Sequence, residues 1–272
     1  MDTYQSQYIN DCGTVDAAAS RGIAVASSAS ANTKGAWVKI GSTAYYGAWL
    51  TVSIETDEAG ADFLVDIGLG ETASEVVVIA NLFISGATAA GTGRIQQFCL
   101  PMTRLYPTGG AIQARCQSTG SSKTVYVSTH EMVNSYMPQQ IVTTYGADTA
   151  ATAGVQIDPG GTAHTKGAYS EITAATTKTT RGFFLCFGGQ TNVAMTTASW
   201  LVDIATGAGG SEQVILPNLP LRVYGATSVV TPGNTVFLPF PIASGTRVSA
   251  RAQCSINDAA DRLIDVILYT VS

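Results

Sequence analysis

Apolar and polar residues alternate with a period of two along many short stretches of this chain. In Phe63-Leu64-Val65-Asp66-Ile67, the residues Phe63, Val65 and Ile67 share one face and Asp66 takes the other. Trp200, Val202 and Ile204 stand in the same way against Asp203. Ile112, Ala114 and Cys116 form another inward face, as do Val248, Ala250 and Ala252, which turns Arg115 and Arg251 outward beside their glutamines. Turn residues separate the runs: Gly68 to Gly70, Gly86 to Gly93, Thr108-Gly109-Gly110 and Gly120 to Ser122, then Gly207 to Gly210, Pro232-Gly233-Asn234 and Ser244-Gly245. Helical periodicity is nearly absent, and Asp16-Ala17-Ala18-Ala19-Ser20 lacks apolar support at i, i+3 and i+4. Many short strands at this spacing predict an all-β chain of antiparallel, jelly-roll-like sandwiches.

The pattern occurs twice. Gly22-Ile23-Ala24-Val25 and Asn32-Thr33-Lys34-Gly35-Ala36-Trp37 return as Gly154-Val155-Gln156-Ile157 and His164-Thr165-Lys166-Gly167-Ala168-Tyr169. Ser74-Glu75-Val76 through Leu82 returns as Ser211-Glu212-Gln213 through Leu219, and Ile112 to Gln117 as Val248 to Gln253. Landmarks repeated in order point to an internal duplication, each copy large enough to be a domain. The expected division is an N-terminal arm at 1–20, a sandwich at 21–136, a linker at 137–147 and a second sandwich at 148–272, with about eight strands per copy.

Composition narrows the function. Charged residues make up 12% of the 272, and the net charge is −5. With no cluster of Lys or Arg, this balance speaks against a nucleic-acid or anionic-membrane partner. The longest apolar stretch, Val76 to Ile84, is interrupted by Asn81 and falls short of the roughly 18 residues of a membrane helix. Met1 to Tyr8 lacks the layout of a signal peptide, so the expectation is a protein not exported by the usual route.

Candidate chemistry is sparse. Cys12, Cys99, Cys116, Cys186 and Cys254 form no pair that recurs between the copies, and free buried thiols are expected. His130 and His164 are the whole histidine complement, and neither is retained in the other copy. Asp66 and Asp203 occupy equivalent places in different copies, so they are expected to accept turn hydrogen bonds at strand ends rather than to act as a catalytic pair. Glu55, Asp57, Glu58 and Asp62 are the one acidic cluster, with calcium as the alternative to a solvated hairpin loop. Arg115 and Arg251 are the best retained surface groups, with ion pairs to Glu75 and Glu212 expected and contact with a partner as the alternative.

Thr-Lys-Gly-Ala-Trp/Tyr, Leu-Val-Asp-Ile followed by Gly68-Leu69-Gly70, Ser211-Glu212-Gln213-Val214-Ile215-Leu216-Pro217-Asn218-Leu219 and Gly245-Thr246-Arg247-Val248-Ser249-Ala250-Arg251-Ala252-Gln253 together resemble modules of tailed-bacteriophage structural proteins. The first copy departs from them at Ala80, which faces Pro217, and at Pro107-Thr108-Gly109-Gly110, which faces Ala243 to Thr246. The resemblance implies an exterior virion component, whether decoration, collar, fibre or tail-associated, assembled in a host cytoplasm without cofactor or catalytic residues. Its expected partners are copies of itself, in a trimer or larger ring, and other virion proteins. Tyr4, Gln5, Gln7 and Tyr8 in the arm, and Tyr136, Gln139, Gln140 and Tyr145 in the linker, are the candidate assembly contacts. The rival reading is a lectin-like module, or a receptor-binding protein, that takes a host surface glycan through Trp37, Trp49 or Tyr169.

Overall fold

The computed structural model describes residues 9–13, 21–43, 49–86, 94–101, 109–132, 140–191, 197–223, 230–256 and 262–272. These residues form strands and no helix, as the short alternating runs require. In the first half the strands are β1 (Ile9–Cys12), β2 (Ile23–Ala26), β3 (Val38–Ser42), β4 (Trp49–Thr56), β5 (Asp62–Leu69), β6 (Val76–Ser85), β7 (Arg94–Pro101), β8 (Ala111–Ser118) and β9 (Thr124–Met132). In the second half they are β10 (Val142–Tyr145), β11 (Val155–Ile157), β12 (Ser170–Thr173), β13 (Gly182–Thr191), β14 (Ala198–Thr206), β15 (Gln213–Val223), β16 (Val248–Cys254) and β17 (Leu263–Val271).

The strands build four antiparallel sheets, two in each half. One first-half sheet runs β3-β8-β5-β6, and the second half repeats the order as β12-β16-β14-β15. The other first-half sheet centres on β9, which pairs with β1 and β2 on one side and β4 on the other. β17 is paired in the same way with β10, β11 and β13. In the second half, inward residues of both sheets meet in one core: Phe183, Leu185 and Leu268 from one sheet, Trp200, Val202 and Ala250 from the other.

Two sequence expectations need correction. The supposed arm and linker both contain strands, and these strands are equivalent. Ile9 pairs with Met132 and Val142 with Val271, and the strands end at Gly13 and Gly146, with φ of 74° and 81°. A Cβ on Gly13 would collide with Ile40 and crowd Ile23, and one on Gly146 would crowd Ile172 and Val155 at the matching positions. The sequence match fades here because only a backbone conformation and a close approach are retained.

The halves are also in direct contact. The outer face of the β17 sheet, with Phe184, Cys186, Ile267, Tyr269 and Val271, packs into the same core as Val52, Phe63 and Phe83 of the first half. Phe184 and Tyr269 stack with ring centroids 4.7 Å apart. Thr144 Oγ1 donates to the Ala80 carbonyl at 2.6 Å, tying β10 to β6.

Candidate functional site

A bulge shapes the most polar place in each half. Val65 pairs with Leu82 and Ile67 with Ile79, so Ala80 and Asn81 together oppose Asp66. Asn81 absorbs the bulge in the left-handed region, at φ 58°, which asparagine tolerates well. Its freed backbone N–H donates to Asp66 Oδ1 at 2.9 Å. On the other side of β5, Arg115 lies in register on β8 and its Nε donates to Asp66 Oδ2 at 2.9 Å.

Lys34 completes the centre from the segment before β3. Gly35 N donates to the Cys116 carbonyl, which holds that segment along β8. The Lys34 ammonium donates to Asp66 Oδ1 at 2.8 Å, to the Leu64 carbonyl at 2.9 Å and to Asn81 Oδ1 at 2.9 Å. Three acceptors match its three protons. Trp37 lies across β5 so closely that a Cβ on Gly68 would sit 2.8 Å from its ring. The Arg115 guanidinium stands 4.5 Å from the Trp37 ring centroid, in cation–π range.

The second half repeats the bonds to the aspartate. Asp203 accepts from Lys166 at 2.8 Å, from Arg251 at 3.0 Å and from the Asn218 N–H at 2.9 Å. Lys166 also reaches the Leu201 carbonyl at 2.8 Å, and Arg251 lies 4.6 Å from the Tyr169 ring centroid. Asn218 carries the bulge at φ 53°.

Asp66 and Asp203 are each only 3% exposed, so the alternation placed them on the correct face but not in solvent. They sit mid-strand and bind cations rather than capping turns. Burial pushes the Asp203 carboxyl up, but hydrogen bonds from Lys166, Asn218 and Arg251 outweigh it and hold the carboxyl below its ordinary range. Burial lowers the Lys34 ammonium, against the pull of Asp66. The Asp203 carboxylate, with both oxygens taken by cations, has little basicity left for proton transfer. It is suited to pinning a loop across a sheet.

The expected partners of the arginines are therefore wrong. Arg115 and Arg251 pair with Asp66 and Asp203, not with Glu75 and Glu212. Glu75 accepts from the Ala73 backbone N–H, and Glu212 pairs with Arg247 at 3.1 Å. Alternation alone puts Arg115 beside Asp66 only once the strand order β8-β5 is known. The missed members are Lys34 and Lys166, and a signal for them was available. Lysine, aspartate, asparagine and arginine recur together, in the same order, in both halves of the sequence.

No protein-family model matches the chain, and no curated protein matches it. Among solved structures, 34 chains match. One is PNGF-II, with TM-score 0.34 and 9% identity over 93% of this chain and 65% of that one, so this chain spans just under two thirds of its length. Another is the CBM22-1–CBM22-2 tandem of Paenibacillus barcinonensis Xyn10C, with TM-score 0.28 and 8% identity over 100% and 92%. A third is the infectious bursal disease virus VP2 subviral particle, with TM-score 0.28 and 11% identity over 100% and 73%.

The acidic cluster does not converge. Arg21 takes Glu55 at 3.2 Å and Asp57 at 2.7 Å, Lys123 takes Glu58 at 2.8 Å, and Ser85 Oγ donates to Asp62 at 2.5 Å. Among the described residues, no group of three or more potential ligands could hold a metal. All five cysteines are free; Cys99 is exposed, and Cys12, expected on a free arm, is buried. Of the assembly candidates, Gln140 is buried within the chain, and the Tyr145 hydroxyl meets Thr177 Oγ1 at 2.9 Å. Tyr4, Gln5, Gln7, Tyr8, Tyr136 and Gln139 lie outside the described residues, as does the side chain of Trp49.

Proposed function

We propose that this chain is a non-enzymatic structural subunit on the exterior of a tailed-bacteriophage virion, with two sandwich domains that arose by duplication. The observation that carries this reading is that its repeated charged groups bond to one another within each half. Lys34, Asp66, Arg115 and Asn81, and their counterparts Lys166, Asp203, Arg251 and Asn218, spend their hydrogen bonds within each half. A set kept twice for internal bracing suits a rigid building block. The resemblance to phage modules supplies the setting, and assembly with copies of itself and other virion proteins follows from it. The glycan reading draws less support, because Trp37 and Tyr169 each already have an arginine against the ring.

Light scattering of the purified chain, with mass spectrometry of particles banded from lysates of its host, tests the proposal. A stable oligomer and the chain's peptides in the particle fraction are expected. A monomer absent from every particle would overturn the reading.

A further inference from the structure

One junction is laid out twice in this chain and filled once. In the first half, Phe83 is fully buried, and a Cβ on Gly188 of β13 would sit 2.6 Å from its ring. Nearby, the turn before β11 reaches across to the first half. Gln117 Nε2 donates to the Thr149 carbonyl and to Thr152 Oγ1, both at 2.8 Å, and Thr152 Oγ1 donates to Asn32 Oδ1 at 2.7 Å. The turn is closed by paired backbone bonds between Asp148 and Ala153, and Asp148 Oδ1 accepts the Ala150 and Ala151 N–H groups.

The corresponding surface of the second half is open. Pro220, Gln253 and His164 occupy the places of Phe83, Gln117 and Asn32. They border a cleft of about 490 Å³ also lined by Trp200, Leu221 and Cys254. Phe83 is buried, whereas Pro220 is exposed; Gln117 is buried, whereas Gln253 is only half-buried. The amide of Gln253 has no hydrogen-bond partner among the described residues.

The segment that fills the first junction also has a twin in the sequence. Asp148-Thr149-Ala150-Ala151-Thr152-Ala153-Gly154 answers Asp16-Ala17-Ala18-Ala19-Ser20-Arg21-Gly22, with the aspartate first and a hydroxyl fifth. The strands on either side, β1 with β2 and β10 with β11, are equivalent.

We propose that this cleft is a docking site for a second copy of the chain, which enters it with its Asp16–Ser20 segment. The proposal rests on the assembly reading above and names the surface that serves it. Gln253 and His164 hold the places from which Gln117 and Asn32 bind Thr152, the counterpart of Ser20 in the sequence. The contact joins unlike surfaces, so copies add head to tail and close into a ring or run on as a filament.

Two features set the character of this contact. The outer face of the β9 sheet carries Thr51, Ser53 and Ser128 where the β17 sheet carries Phe184, Cys186 and Ile267. Copies would therefore meet through a more polar surface than the halves do, as suits subunits that fold before they meet. Pro217 and Pro220 remove N–H groups from the edge strand β15, which disfavours strand addition and leaves side-chain docking as the mode.

The test uses two full-length variants in a Cys99→Ser background, Ser20→Cys and His164→Cys, carrying different tags. Under mild oxidation the mixture should give a disulfide-linked product containing one of each. Neither variant alone should dimerise through its new thiol. Gln253→Ala should weaken wild-type self-association by on the order of tenfold without changing the thermal midpoint. An oligomer that forms without the Ser20→Cys–His164→Cys product places the contact elsewhere and overturns this inference while the assembly reading stands. A monomer throughout overturns both.

Discussion

The hydroxyl of Tyr269 accepts the backbone N–H of Phe83 at 3.0 Å and lies 2.5 Å from the Asn81 carbonyl, to which it donates. One side chain from the last strand thus satisfies two backbone groups on the edge of β6, next to the bulge that serves Asp66. Burial keeps the phenol well above its ordinary value, so the donor persists across the working pH range.

Tyr269→Phe keeps the stacked ring but leaves a buried N–H and carbonyl without their partner. Urea unfolding should show a loss of about 1–3 kcal/mol, with the far-ultraviolet spectrum unchanged. A variant as stable as the parent would show that this bond does not contribute to the junction.

Asp203→Asn should leave Lys166 and Arg251 facing one another without their shared anion, at a cost of roughly 3 kcal/mol. The carboxyl is held below its ordinary range of 3.8. Its contribution is therefore present above that value and is lost as pH falls through the lower folded one. The parent should lose stability on that acid limb, and the variant should lack this component. Adding Lys166→Met should recover part of the loss, because an uncompensated buried charge is worse than an apolar pair.

Asp265 should act in the opposite direction. It faces the first half from β17, where burial, aided by the charges of Asp62 and Asp148, pushes its carboxyl up to about 7 from 3.8. The folded state then holds a proton that the unfolded state releases. Stability from this group is full below about pH 4, falls as pH rises towards 7 and is level beyond. The change is on the order of 4 kcal/mol. Thermal midpoints between pH 4 and 8 should show this fall, and Asp265→Asn should flatten it.

The thiols should divide by exposure. Ellman's reagent on the native chain should modify Cys99 rapidly and leave Cys12, Cys116, Cys186 and Cys254 until unfolding. Burial raises the Cys116 thiol to about 12, which removes its thiolate at neutral pH. Mass spectrometry after non-reducing alkylation should find five free thiols, and a bridged pair would contradict this.

Much of the fold was legible in the chain. Period-two alternation marked β5, β14, β8 and β16 and their inward faces, because a strand places successive side chains on opposite sides. The repeat also anticipated that Asp66 would match Asp203 and Arg115 would match Arg251. The arm and linker were misread because β1 and β10 share few residue types. What they share is register and a glycine with positive φ, which do not show as identity.

By itself, then, the sequence determined the central strands β5, β8, β14 and β16, their faces and the two parallel sets of landmarks, since these depend on local periodicity and turn chemistry. Only the tertiary structure decided which groups meet. Asp66 and Arg115 are separated along the chain and become neighbours when β8 pairs with β5. Lys34 joins them because a loop crosses that sheet, and neither fact is encoded in the spacing of any single segment. The same holds for the asymmetry of the halves. Phe83 is buried where β13 of the second half lies against it, and the matching Pro220 is exposed. That difference arises from long-range packing, which equivalent positions in a repeat do not reveal.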